Sequence, residues 1–176
     1  MNKGLVSGLV LLTLGLICGL LLAFVNSFTA PIILQKENEI KYAALSEFYS
    51  VEEYNLEEVT LSDDAIDSLF LVTNKTSGLL EAVIYSVSKI GFNDDVRMLI
   101  AIDSNLNIVG YKIVYQIESP GYGAVAPEHD FNVTNSLISD LSGFDAISSA
   151  TITSDAVRGC FDAVADRVSI DFGGAN

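Results

Sequence analysis

Between Gly4 and Gln35 the chain carries no charged residue, and Leu5 to Val25 is a 21-residue run built almost wholly of Leu, Val, Ile, Gly, Ala and Phe. At about 1.5 Å per residue, a helix of that length covers the roughly 30 Å hydrocarbon core of a bilayer. A secretory signal needs an apolar region of only about 7–15 residues. The one small-residue site that would suit a signal peptidase, Ser27-Phe28-Thr29-Ala30, is followed by Pro31, which disfavours cleavage. We therefore expect a retained single-pass anchor in the lipid bilayer over residues 1–27, with a cleaved signal peptide as the alternative. Lys3 precedes the run while Lys36 and Lys41 follow it, so the positive-inside count does not decide orientation. Gly4 and Gly8, and again Gly15 and Gly19, are four apart. That spacing lets a second helix approach closely, and it is equally what the ordinary glycine content of membrane helices produces.

Such an anchor leaves about 150 residues for a tethered domain, enough for one core. After Pro31 the positions Ile32, Ile33, Leu34, Ile40, Ala43, Ala44, Leu45 and Phe48 are apolar and alternate with charges, which describes a stalk helix over residues 28–50. The domain proper then occupies residues 51–176. Its first part, Val51 to Asp67, is acidic and reads as beginning in a loop, with a short helical turn at Asp63-Asp64-Ala65-Ile66. Strand signals follow in Leu69–Thr73, Leu79–Val87, Val96–Ile102 and Ile108–Ile117, all rich in Val, Ile, Leu and Tyr. Asp103-Ser104-Asn105-Leu106-Asn107 separates the last two as a turn, so these pair as an antiparallel hairpin. Further on, Ala156, Val157, Cys160, Phe161, Val164 and Val168 recur at three- and four-residue spacing, one apolar face of a helix. Helices flanking a run of antiparallel strands make an α+β domain.

Charge and composition remove several functions. The chain has 9 basic and 23 acidic residues, and without Lys3 the part beyond the anchor carries a net −15. Such a surface repels nucleic acid and anionic headgroups, so nucleic acid is not an expected partner. Cys18 lies in the apolar run and Cys160 on a helix face, which suits neither a disulfide nor a zinc or iron–sulfur site. His129 is the single histidine, so no histidine-rich metal site is expected, and in a polar loop it reads as a surface residue before a catalyst.

The segment Asp145-Ala146-Ile147-Ser148-Ser149-Ala150-Thr151-Ile152-Thr153-Ser154 leads into the last helix, with Ser154 or Thr153 as its N-cap. Amides at a helix N-terminus lack intrahelical partners and the helix dipole is positive there, which favours an anion by about 0.3–1 kcal/mol at an exposed end. A phosphate suits that site. Ser148, Ser149, Thr151 and Thr153 are also what ordinary turns and caps contain.

This segment resembles the flavinylation motif of the FMN-binding domain family: Asp, two variable residues, Ser or Thr, Gly, Ala, Thr, a variable residue, Thr and Ser. Asp145, Ser148, Ala150, Thr151, Thr153 and Ser154 match, and Ser149 stands where the family usually has Gly. The resemblance implies covalent FMN, joined through its phosphate to Thr151 by a separate flavin transferase. It also extends upstream. Leu99–Asp103 and Ile108–Tyr111 resemble the family's strand pair. Glu118-Ser119-Pro120-Gly121-Tyr122-Gly123 resembles the loop Glu-Thr-Pro-Gly-Leu-Gly of the G subunits of Rnf-type electron-transport complexes, whose domain also occurs in the sodium-translocating NADH:quinone reductase. The boundary Thr29-Ala30-Pro31 is similar to that of the G subunits as well.

What the resemblance implies is a redox subunit without an independent catalytic site. It would relay electrons through FMN within a membrane complex that moves electrons between ferredoxin and NAD and exports sodium or protons. Its soluble domain would lie outside the cytoplasm at the cell membrane, beside other membrane subunits. Around the flavin the expected residues are Ser148, Ser149, Ala150, Thr151, Thr153, Glu118, Ser119, Gly121 and Tyr122. Read from the residues alone, Pro120-Gly121 is a turn signal, the glycines admit a flat ligand close to backbone, and Tyr122 offers a ring to stack on it. No Ser-His-Asp set, metal cluster or paired carboxylates are evident, so a cofactor must carry any redox chemistry. A free-standing anchored flavoprotein and a non-redox anchored scaffold remain the alternatives.

Overall fold

Strands from Ile66 to Asp103 carry runs of consecutive buried residues, because the sheet they form is covered on both faces. The computed structural model describes residues 3–61 and 65–173. A helix α1 (Lys3–Phe48) leads into strands β1 (Tyr54–Thr60), β2 (Ile66–Asn74), β3 (Leu80–Ile90), β4 (Asp95–Asp103) and β5 (Ile108–Tyr115), and helix α2 (Thr151–Gly173) closes the chain. The strands pair antiparallel in sequence order, β1-β2-β3-β4-β5. The α+β expectation holds.

The chain divides into two compact units, Met1–Glu39 and Ile40–Asn176. In the first, α1 exposes large apolar side chains all around, among them Leu9, Leu11, Leu12, Leu14, Leu16 and Leu20, and nothing lies near Gly4, Gly8, Gly15 or Gly19. A helix apolar on every side belongs in lipid or in a large core, so this one is compatible with a single-pass membrane anchor. It is unbroken through Pro31. The second unit begins at Ile40, inside the segment read as a stalk, and takes the last turns of α1 as its own.

Alternation along each strand divides the core in two. On one face Ala44 and Leu45 of α1 pack with Phe70, Val72, Ala82, Ile84, Leu99 and Ala101. The intervening side chains, such as Val83, Tyr85, Val87, Met98 and Ile100, turn to the other face, where α2 and the long segment before it cover them. The predicted stripe of α2 from Ala156 to Val168 is buried there in full, and each large apolar side chain of it contributes roughly 1.5–3 kcal/mol. Burial pushes the Cys160 thiol up to about 12, against a smaller opposing pull from Lys89, so this cysteine is an inert core residue.

Several expectations are corrected. The acidic segment after Val51 contains a strand, β1, which pairs with β2 from Tyr54↔Asn74 to Thr60↔Ser68. It lies at the sheet edge with Glu57 and Glu58 exposed, and charges on an edge strand suppress the hydrophobic alternation that marks a strand while blocking edge-to-edge association. Lys41 of α1 fastens it by an ion pair to Glu58 at 2.9 Å. The helical turn expected at Asp63–Ile66 falls partly outside the described residues, and Ile66 opens β2. Strand β3 runs on to Ile90, and β5 stops at Tyr115, two residues early. The hairpin turn is as expected: Asp103 Oδ1 accepts from the Asn105 and Asn107 amides at 2.8 and 2.9 Å, and Leu106 takes a φ of 65°.

Candidate functional site

From Gln116 to Ala150 the chain makes no strand and only one short 3₁₀ turn, Gly123–Glu128. So long an irregular segment within a compact unit is where function concentrates. Its interior is ordered by Phe131, Val133, Ile138, Leu141 and Ile147, which sink into the α2 side of the core. His129 serves this packing: Nε2 donates to the Asp145 carbonyl at 3.0 Å and the ring meets Phe131 edge-on at 4.8 Å. It is therefore a half-buried residue tied down at the surface of the domain.

At the start of α2 the hydroxyls divide sharply. Helix geometry begins at Thr151, so neither Thr153 nor Ser154 is the N-cap expected from sequence. Both are buried in the first turn instead. Ser154 Oγ accepts the Ile147 amide at 2.9 Å, and Thr153 Oγ1 donates to Glu118 Oε2. Thr151 is exposed, and its hydroxyl has no hydrogen bond among the described residues. The first amide with an intrahelical acceptor is that of Ser154, bonded to the Ala150 carbonyl at 2.9 Å. Those of Thr151, Ile152 and Thr153 are the orphan donors that every helix N-terminus carries.

Glu118 is the hub of the site. Only 5% exposed, its carboxylate accepts the Phe92 amide at 3.0 and 3.2 Å and the Asn93 amide at 3.1 Å from the β3–β4 turn, besides the Thr153 hydroxyl. Burial alone would raise its pKa, but these donors from Thr153, Asn93, Phe92 and Asp94 outweigh it and hold the carboxyl below its ordinary value. The Asn93 side chain returns the tie, donating to the Ile117 carbonyl at 2.9 Å and Ser119 Oγ at 3.3 Å. Two glycines make room for this clamp. A Cβ on Gly123 would collide with the Thr153 side chain, and one on Gly91 would meet Glu118 Oε1 at 2.6 Å and the Asp94 carbonyl at 2.9 Å.

Around this clamp is a cavity of about 520 Å³ lined by Phe92, Glu118, Ser119, Tyr122, Gly123, Ser149, Ala150, Thr151, Ile152 and Thr153. Its volume lies in the range of small-molecule sites. The two sequence segments, well separated in the chain, thus meet in one cleft. Of the expected residues, Gly121 and Ser148 lie outside the lining: Gly121 has a φ of 79° and shapes the loop, and Ser148 is exposed to solvent. Gly123, one of the loop glycines, joins the lining as well, and Phe92 and Ile152 were not expected there. Phe92 did leave a signal, as the only large apolar residue in the polar turn Gly91-Phe92-Asn93-Asp94. Ser149 has a φ of 69°, a left-handed conformation in which glycine is unstrained and serine is not.

Residues 91–166 match the FMN-binding domain family. The matched stretch runs from the β3–β4 turn into α2 and contains every residue of the cavity lining. No curated protein matches the chain. The match supports FMN as the ligand and an electron-transfer flavoprotein as the class. The cleft fits such a group: exposed Phe92, Tyr122 and Ile152 offer apolar surface to a flat ring, and the unpaired amides opening α2 suit a phosphate. Among the described residues no group of three or more His, Cys, Asp or Glu could hold a metal ion.

Proposed function

We propose that the protein is a membrane-anchored electron-transfer subunit of an Rnf-type complex, carrying one FMN bound through its phosphate to Thr151 in a domain outside the cytoplasm. The observation that carries this reading is the convergence of the Glu118–Gly123 loop and the Ser149–Thr153 segment on one cavity beside the exposed Thr151 hydroxyl. Thr153, the other threonine in reach, is buried and committed to Glu118, which favours Thr151 as the attachment point. When bound, FMN supplies one- and two-electron redox chemistry. The chain's own part is to hold and shield it. Thr151 Oγ1 anchors the phosphate, the first amides of α2 balance its charge, and Phe92, Tyr122 and Ile152 exclude water from the ring. A phosphate-end linkage secures the group against loss and leaves the ring free to exchange electrons.

Placement in an Rnf-type complex rests on the Thr29-Ala30-Pro31 boundary and on the Glu118–Gly123 loop. The other membrane subunits, a flavin transferase and the bilayer are then its partners, and sodium or proton translocation is the work of the whole complex. Full-length protein produced with a flavin transferase should keep fluorescent flavin after denaturing electrophoresis and co-purify with the other membrane subunits. Flavin retained without any co-purifying membrane protein would instead favour a free-standing flavoprotein. Absence of flavin would favour a scaffold.

A further inference from the structure

The β3–β4 turn contributes to the site in a way that neither sequence motif covers. Its residues Asn93 and Asp94 are polar, as a solvent-facing turn requires, yet Phe92 between them and Gly91 leaves 62% of its surface exposed. A phenylalanine displayed so openly leaves most of its apolar surface for another partner. Its backbone, by contrast, is held tightly: Glu118 accepts the amides of Phe92 and Asn93, the Gly91 amide bonds the Asp94 carbonyl at 2.9 Å, and Gly91 has no room for a side chain. The same Glu118 grips Thr153, two residues beyond Thr151. One carboxylate therefore fixes the aromatic turn relative to the start of α2, and the Phe92 ring lines the cavity between them.

Resting on the functional reading above, we infer that Phe92 is a ring-contact residue, an aromatic face against which the isoalloxazine of FMN lies, and that Glu118 is the positioning residue that presents it. An apolar ring needs a rigid apolar wall for stacking, and a turn clamped at two amides supplies one at low entropic cost. Since the wall is built by backbone hydrogen bonds, the side chain at position 92 can be exchanged without disturbing the fold.

The test uses full-length protein produced with a flavin transferase and compared per covalently bound flavin, counted by mass. Phe92→Trp places a readily oxidised indole at the wall and should lower flavin emission severalfold relative to Phe92→Leu, by electron transfer at contact distance. Phe92→Ala should raise the rate at which iodide quenches the flavin severalfold. Thr13→Ala, in the apolar run of α1, serves as the unaffected control. Emission equal in the Trp and Leu proteins, or iodide access unchanged in the Ala protein, at full flavin content, would overturn the role of Phe92 and leave the FMN site standing. No flavin mass in the wild-type protein would overturn both.

Discussion

Helix α1 and the first turn of α2 use hydroxyl residues in opposite ways. Along α1, Ser7, Thr13, Ser27, Thr29 and Ser46 each donate back to a carbonyl three or four residues earlier, satisfying themselves within their own helix. In the first turn of α2, Ser154 and Thr153 reach other segments, while Thr151 reaches none. A hydroxyl turned back on its helix is an economical way to carry a polar group through an apolar setting. One left open at a helix N-terminus, beside a cleft, is available to a ligand. What separates decoration from site is therefore the partner of each hydroxyl, a property that composition alone does not reveal.

Substitutions can break that contrast, and the largest effect belongs to Thr151. Thr151→Ala should abolish covalent flavin, read by in-gel fluorescence, while shifting thermal stability by no more than about 0.5 kcal/mol, as expected of an exposed side chain. Thr153→Val should do the reverse: flavin attachment persists, and stability measured by denaturant unfolding falls by about 1.5–3 kcal/mol, because buried Glu118 loses a donor. Gly123→Ala should cost about 1–3 kcal/mol through collision with Thr153.

Acid sharpens the same comparison. Because the folded state holds Glu118 below its ordinary value, the unfolded chain binds the extra proton, and stability rises with pH across the interval between the two values. Its contribution is complete above a pH of about 4.3, the ordinary glutamate value, and disappears as pH falls through the lower folded value. Glu118→Gln should flatten that acid limb in pH-dependent unfolding curves.

Ser149→Gly should relieve left-handed strain yet enlarge the freedom of the unfolded chain, for a net gain of at most about 1 kcal/mol. Ser149→Val should lose more than that, since a β-branched residue fits a positive φ poorly. Thr13→Ala in α1 should leave flavin content and the unfolding of the second unit unchanged.

Much of this molecule was legible in the chain. The apolar run, strands β2 to β5, the Asp103–Asn107 turn and the buried stripe of α2 all announce themselves by periodicity or turn chemistry, because burial imposes those patterns directly. Strand β1 did not, since an edge strand carrying Glu57 and Glu58 satisfies its backbone against one neighbour and shows water the rest. The last turns of α1 read as a stalk because nothing in the sequence says that Ala44 and Leu45 will cover the second face of the sheet. At the site, both motifs were visible, but the function of Glu118 was not. A buried carboxylate defined by amides from Phe92 and Asn93, 26 and 25 residues away, is a long-range fact. The same holds for the N-cap: Thr153 and Ser154 look like caps by type, yet tertiary partners claim both.

The most direct test of the whole account is the mass of the peptide containing Thr151, taken from full-length protein produced with a flavin transferase. One FMN-sized increment is expected, localised by fragmentation to Thr151 and absent from the Thr151→Ala protein. An unmodified peptide, or an increment localised to Thr153 or Ser149, would contradict it.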